Sequence, residues 1–392
     1  MAKKKKQPSK AADSASQDKQ PKNGAPKKKA SGRATPTTTA TELQKKLKRV
    51  EREIVKQCNE RVSLYLQLAN ISDSQSITDL GKLPIASTND AAMKSKGPLS
   101  TDAVSAILRE LDSASQALVH PTKVTFLGPE FSYSHLASIH QFGQSHILIP
   151  VSTIAAVFES VERGDADFGI VPIENSTDGR IVDTLEMFVR LPVKICGEIP
   201  MPIHHNLLAK CAITDVTEVH SKPQALSKCR DWLAKNLPAA RLVPTASTTT
   251  AAQLASTEKN VAAIASRQAG SQYGLSVLAA AIEDNKHNVT RFAVIGREPA
   301  ERTGDDKTSF MFELCHEPGA LANTMAIFKR NRLNLTWIES FPKQGSPHEY
   351  IFFVELHGHQ SDVRVRRAVA SLEKKTVKLG ILGSYPRKDV MA

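Results

Sequence analysis

The stretch GIVPIENSTDGRIVDTLEMF, residues 169–188, sets Glu174, Asn175, Ser176 and Thr177 in a row behind a strand-like apolar run. A turn uses one or two such side chains, whereas four in succession make a cluster of hydrogen-bond donors and acceptors. Read as a parallel strand, DFGIVPI ends where ligands of open α/β sheets bind, and a helix starting at Ile181 brings its free N–H groups to the same place. Asn175, Ser176 and Thr177 then suit a polyanionic small molecule, with Glu174 orienting them or meeting a substrate hydroxyl. An N-capping turn, with Thr177 or Asp178 as the cap, is the structural alternative. The theme recurs. GPEFSYSHLA carries Ser132, Tyr133 and Ser134 from a strand into a helix, and in NVTRFAV the pair Thr290 and Arg291 directly precedes an apolar strand that begins at Phe292. HSKPQAL brings Ser221 and Gln224, and TASTTTAA brings Ser247 to Thr250. Neither GxxxxGK[ST] nor GxGxxG occurs, so nucleotide phosphates are not the obvious anion. No cluster has metal-ligand spacing, since the neighbours His204 and His205 would point to opposite faces of a strand.

The elements that must position these residues are legible as a change of texture along the chain. From Glu42 the apolar residues Leu43, Leu47, Val50, Ile54, Cys58, Tyr65 and Leu68 recur at helical spacing, and a turn-rich connector follows over 78–98. A second helix starts after Ser100 or Thr101 and stops at Pro121. From Lys123 short apolar strands alternate with helix-length segments, which predicts parallel sheets in an α/β layered domain. Beyond Thr308 the order strand-helix-strand-strand-helix-strand is that of a ferredoxin-like α+β fold. The expected organisation is multidomain: a disordered basic tail over 1–40, an α-helical module over 41–120, an α/β domain over 123–298 and a ferredoxin-like domain over 308–386.

At 392 residues the chain has room for such a set of domains. Its net charge of +12 is mostly local: eleven lysines and arginines against two aspartates in the first 33 residues contribute +9. That tail lacks the apolar residues needed to order itself, and without aromatic residues to stack on bases it reads as a solubilising arm. Nucleic acid is therefore not the expected partner. No apolar run reaches the roughly 18 residues that cross a bilayer, and the tail is not a signal peptide. Five scattered cysteines without a CxxC pair suit a reducing cytoplasm.

GPEFSYSHLA, GIVPIENSTDGRIVDTL, HSKPQAL, ASRQAGSQYGLSVL and NVTRF occur in the order found in prephenate dehydratases, which the chain resembles after residue 42. GALANTMAIFKRNRLNLTWIESFP is similar to their phenylalanine-binding ACT domain, and 42–120 resembles the chorismate mutase module of the bifunctional enzymes. The resemblance implies a two-lobed dehydratase domain, like that of periplasmic binding proteins, that turns prephenate into phenylpyruvate in L-phenylalanine biosynthesis without metal or organic cofactor. It makes Thr290 the essential hydroxyl and Arg291 the candidate to fix a carboxylate or Glu174. Asn175, Ser176, Ser221 and Gln224 complete the pocket, with Thr177, Ser132, Ser134, Ser247 and Phe292 also at the substrate. It further implies L-phenylalanine as effector at Gly319, Ala320, Leu321, Glu339 and Ser340, and a homodimer or homotetramer.

Several positions depart from the family's pattern. Phe131-Ser132 stands where Gly-Thr is usual after GPE, and the effector motif Glu-Ser-Arg-Pro reads Glu339-Ser340-Phe341-Pro342. In the mutase module Arg61 keeps one cationic position, but Gln44 and Ser72 occupy two others, and the second helix is replaced by the connector. Removing charge-assisted contacts from an electrostatic site predicts a degenerate mutase serving as a dimerisation helix pair. Weak residual mutase activity, an active bifunctional enzyme, arogenate as substrate, and a non-catalytic amino-acid sensor are the alternatives.

Overall fold

The computed structural model describes residues 39–71, 96–343 and 349–388. The basic tail lies outside them but for its last two residues, as do Ser72 and most of the connector. No helix among the described residues is long and apolar enough to cross a membrane.

The chain opens with helix α1 (Ala40–Ile71), whose Leu43, Leu47, Val50 and Ile54 are all more than half exposed. The described residues divide into two units, one up to Gln57 and the other from Cys58 onward. Within the second unit, α2 (Thr101–Val119) is capped by Ser100, whose hydroxyl accepts from the Ala103 N–H. It packs on the α/β domain rather than standing apart from it. Glu110 accepts from the Gln144 N–H and Ser113 from the Ser145 N–H, with Gly143 so close to Ser113 that a Cβ there would lie 2.4 Å from the serine Cβ.

The first lobe runs β1 (Lys123–Leu127), α3 (Tyr133–Phe142), β2 (Ile147–Val151), α4 (Ile154–Arg163), β3 (Phe168–Asn175), β4 (Gly179–Arg180), α5 (Val182–Arg190) and β5 (Lys194–Pro202). The chain then crosses to the second lobe. There it forms β6 (Asn206–Ala209), β7 (Glu218–Ser221), α6 (Pro223–Lys228), α7 (Arg230–Asn236), β8 (Arg241–Pro244), α8 (Thr248–Thr257), β9 (Val261–Ala265), α9 (Arg267–Gln272) and β10 (Ser276–Ala279). It returns to the first lobe as β11 (Val289–Gly296). The two sheets have the orders β2-β1-β3-β11-β5 and β10-β6-β9-β7-β8. The alternation of strands and helices predicts parallel sheets, but both sheets are mixed. β11 re-enters from the other lobe and so runs antiparallel to both β3 and β5, and β6 runs antiparallel to β9 and β10. QALSKCRDWLAKN, which reads as one helix, breaks at buried Cys229 into α6 and α7.

The C-terminal domain comprises β12 (Asp306–Glu313), α10 (Ala320–Arg330), β13 (Leu335–Pro342), β14 (Tyr350–His357), α11 (Val363–Leu372) and β15 (Lys378–Pro386), with sheet order β13-β14-β12-β15. This is the split βαβ arrangement that its sequence order predicts. It shares a core with the first lobe: Phe341, Ile351, Phe353, Leu382 and Tyr385 pack in one cluster with Val171, Ile173, Leu185 and Ile195. The docking is tight at Gly383, where a Cβ would lie 2.1 Å from the Ile195 carbonyl oxygen.

Candidate active site

The pairing of β1 with β3 ends at Ile170, so Pro172, which has no N–H to give, falls where no β1 partner remains. Against β11, Phe292 lies opposite Pro172 but Arg291 lies opposite Glu174, which leaves Ile173 as an extra residue in β3. Such a bulge re-aims the side chains that follow it. Ile173 joins the core shared with the C-terminal domain, and Glu174 faces the same way, to Arg291. Asn175 is turned to the opposite side, against Thr290. The corners at 174–178 and 287–291, more than a hundred residues apart in sequence, are thereby neighbours.

On the interlobe side, Asn175 Nδ2 donates to Thr290 Oγ1 at 2.8 Å and to Asn288 Oδ1 at 3.1 Å. Its Oδ1 accepts from the Thr177 N–H at 3.0 Å, the Thr177 hydroxyl at 2.6 Å, the Asp178 N–H at 3.2 Å and Lys228 Nζ at 2.8 Å. Backbone N–H groups and an ammonium can only donate, so the amide orientation is fixed by its partners. Thr290 is half-buried; with its oxygen engaged as acceptor, its own proton has no acceptor among the described residues. Ser176 clasps the two corners: its hydroxyl donates to the His287 carbonyl at 2.8 Å and accepts from the Val289 N–H at 2.9 Å. Lys228, the last residue of α6, comes from the second lobe and also meets Asp178 at 2.8 Å. Nothing in HSKPQALSKC sets Lys228 apart from a surface lysine, which is why sequence reasoning passed over it, along with Asn288.

On the other face of β11, Arg291 is enclosed by carboxylates. Its guanidinium lies 3.2 Å from Glu174 and 3.4 Å from Glu198, makes a short bond to Glu355, and sits 5.3 Å from the ring centre of Trp337. Lys307 joins Glu198 at 3.0 Å and Glu355 at 3.2 Å, and Tyr385 and Thr336 donate to Glu355 at 2.9 and 2.7 Å. Glu355 has a side chain only 2% exposed. Burial alone raises its pKa, but the Arg291 and Lys307 charges outweigh that and hold it down at about 2. The expectation that Arg291 fixes a substrate carboxylate is therefore corrected: alternation along the strand points it away from Thr290, into the junction with the C-terminal domain. Its pairing with Glu174 stands.

The other expected site residues divide by burial. Phe292 lies in the core with Val124, Phe126, Ile170 and Ile199, so it cannot line an open pocket. Ser221 is fully buried, its hydroxyl donating to the Ile264 carbonyl to join β7 to β9. Ser132 and Ser247 cap α3 and α8, and Ser134 is buried in the first turn of α3. Gln224 and Thr177 are exposed. Neither Thr177 nor Asp178 caps α5; its N-cap is Ile181, without a side-chain bond. His204 and His205 lie outside any strand and both bind Glu283, His204 through Nδ1 at 2.9 Å and His205 through its N–H at 2.8 Å. Burial lowers the His205 pKa to about 4, so this ring is neutral at ordinary pH and no imidazolium acid is available from it. Phe131 explains the usual glycine: it holds a φ of 63°, a region that favours glycine. Its side chain packs against the second-lobe cluster that includes Leu208, Ala251 and Ala269, and its carbonyl accepts from Ser266 at 3.4 Å.

In the C-terminal domain Gly319, with a φ of 83°, precedes α10, followed by Ala320 and half-exposed Leu321. Glu339 and Ser340 lie on the edge strand β13, and Glu339 accepts from Arg180 of the first lobe at 2.9 Å. Phe341, in the place of the usual arginine, is buried in the shared core. Arg61 forms a short ion pair with Asp112 of α2.

In the two-lobed α/β architecture a hydroxyl, an amide and an ammonium meet where the lobes join, which makes this corner the candidate site. Residues 124–300 match the family model for prephenate dehydratase. The bifunctional chorismate mutase/prephenate dehydratase of Aquifex aeolicus is 38% identical over 88% of this chain and 97% of its own length. The structure of prephenate dehydratase from Arthrobacter aurescens in complex with L-Phe shares 34% identity at a TM-score of 0.64, covering 69% of this chain and 91% of that one. A structure described as a novel type of quorum-quenching acylase matches at a TM-score of 0.62 and 27% identity, covering 68% of this chain and 98% of that one. The chain belongs to the prephenate dehydratase family.

The depressed pKa of Glu355 sets a pH window. Its contribution to stability is complete above the unfolded carboxyl value of 4.5 and is lost as pH falls toward its folded value of about 2. Glu355→Gln should lower unfolding free energy by about 3 kcal/mol at pH 7. Denaturant melts should show that deficit shrinking by more than half at about pH 3, and an equal deficit at both pH values would contradict the assignment.

Proposed function

We propose that this chain is a prephenate dehydratase, and the observation that carries the reading is the Thr290 hydroxyl held through its oxygen by Asn175 with its proton left free. In prephenate the bond between the ring and its carboxylate breaks and releases carbon dioxide. The electron pair enters the ring while the C–O bond opposite breaks and the hydroxyl leaves with its pair. Thr290 donates its proton to that oxygen, which departs as water, and regains one from solvent. The ring becomes aromatic, so the driving force resides in the substrate and the protein supplies position and charge stabilisation. Arg291 is a positioning residue that fixes Glu174 and hence the bulge.

Amide cleavage, the reading suggested by the acylase likeness, finds no base beside Thr290 among the described residues to activate it as a nucleophile. The mutase module is degenerate in this reading: Arg61, its remaining cation, is already neutralised by Asp112. The exposed apolar stripe of α1 then serves association between copies. The C-terminal domain is read as an ACT domain that binds L-phenylalanine. Gly319 follows β12 and Glu339 lies on β13, with β14 between them in the sheet, so the motif halves join most simply across two copies. Arg180 ties Glu339 to the strand next to the site corner and gives the effector a physical route to it.

The test follows prephenate consumption and phenylpyruvate absorbance. Wild type should turn over, and Thr290→Ala should lose about 10²- to 10³-fold in kcat; no turnover by wild type would favour a sensor. L-phenylalanine should inhibit and shift sedimentation toward a larger species, and unchanged kinetics and sedimentation at saturation would remove the regulatory reading. Full-length protein should consume chorismate no faster than the uncatalysed rate, and turnover at an ordinary enzymatic rate would show the mutase module intact.

A further inference from the structure

An unperturbed threonine hydroxyl is a weak acid, and what it donates to a leaving group depends on how its oxygen is held. Asn175 gives that oxygen a hydrogen bond from Nδ2, and the same amide receives Lys228 Nζ on Oδ1 at 2.8 Å. Charge drawn toward one end of an amide makes the N–H groups at the other end stronger donors, so hydrogen bonds in such a chain reinforce one another. We propose that Lys228 is a positioning residue of the dehydration step, acting through Asn175 to stabilise the negative charge that Thr290 acquires as it donates to the departing hydroxyl. The inference rests on the dehydratase reading and adds to it a residue that touches neither substrate nor the reacting atoms.

Two features favour this role over that of a surface charge. The Lys228 side chain is only 15% exposed, and its three protons are matched by three acceptors: Asn175, Asn288 at 3.2 Å and Asp178 at 2.8 Å. All three acceptors come from the first-lobe corner, whereas Lys228 ends α6 in the second lobe, placed there by the helix break at Cys229. The relay from ammonium through amide to hydroxyl therefore depends on contact between the two lobes. A lysine that merely tied the lobes would affect affinity and stability; one that polarises Asn175 affects the chemical step.

The experiment compares wild type, Lys228→Met and Lys228→Gln as full-length proteins, by steady-state kinetics with prephenate and by thermal unfolding. Lys228→Met should lower kcat about 30- to 100-fold while KM changes less than about three-fold. Lys228→Gln, which keeps an N–H donor without the charge, should lose about 10-fold and decides the matter by itself if the methionine variant does not fold. A loss confined to KM, or kcat within about three-fold of wild type in a folded variant, overturns the inference and leaves the dehydratase reading standing. A wild-type protein that does not consume prephenate overturns both.

Discussion

The structure depends on one extra residue in β3. Because Ile173 is accommodated as a bulge opposite the Arg291–Phe292 step, Glu174 and Asn175 leave the strand on opposite faces of the sheet. Asn175 then meets Thr290 between the lobes, and Glu174 meets Arg291 beneath the C-terminal domain. Without the bulge, alternation would reverse these directions, sending the carboxylate to the hydroxyl and the amide into the buried charge cluster. Pro172 marks the place. It cannot donate to a neighbouring strand, and β1 ends before reaching it.

This arrangement makes β11 a shared wall. Thr290 faces the interlobe corner and the next residue, Arg291, carries the charge that joins the C-terminal domain, so a displacement of that domain bears on the strand that holds Thr290. Three carboxylates, Glu174, Glu198 and Glu355, surround Arg291, with Lys307 bridging two of them. Buried clusters of this kind cost desolvation and hold geometry only when every partner is in place. Arg180 and Glu339 add a second, more exposed link between the edge strand β13 and the hairpin that follows the site corner. Together they give the C-terminal domain a mechanical connection to the site corner.

Much of this was readable in the residues. The strand-to-helix texture after Lys123 and the order of elements after Thr308 follow from apolar periodicity, and the meeting of the two polar corners was implied by the family's motifs. What was not readable came from tertiary context. The strand VAAIA, β9, is built largely of alanine, which carries little strand preference and is fixed only by burial between β6 and β7. The direction of β11 depends on a crossover between lobes, which no local pattern encodes. Arg291, beside the threonine that the family resemblance makes essential, reads as a charge for a carboxylate or for Glu174, and strand alternation leaves it the second. Phe341 stands where the family's pattern has an arginine, and the shared core shows where the aromatic ring goes. Lys228 had no local signal; its meaning arises only from three acceptors in another lobe.

The central claim is that Asn175 and Thr290 act as a single unit created by the bulge, and a double-mutant cycle on prephenate turnover measures it most directly. With Asn175→Ala, Thr290→Ala and the double variant compared by kcat, the account predicts that the double variant is no more than about three-fold slower than the worse single variant. Losses that multiply in full, as for two independent residues, would contradict it.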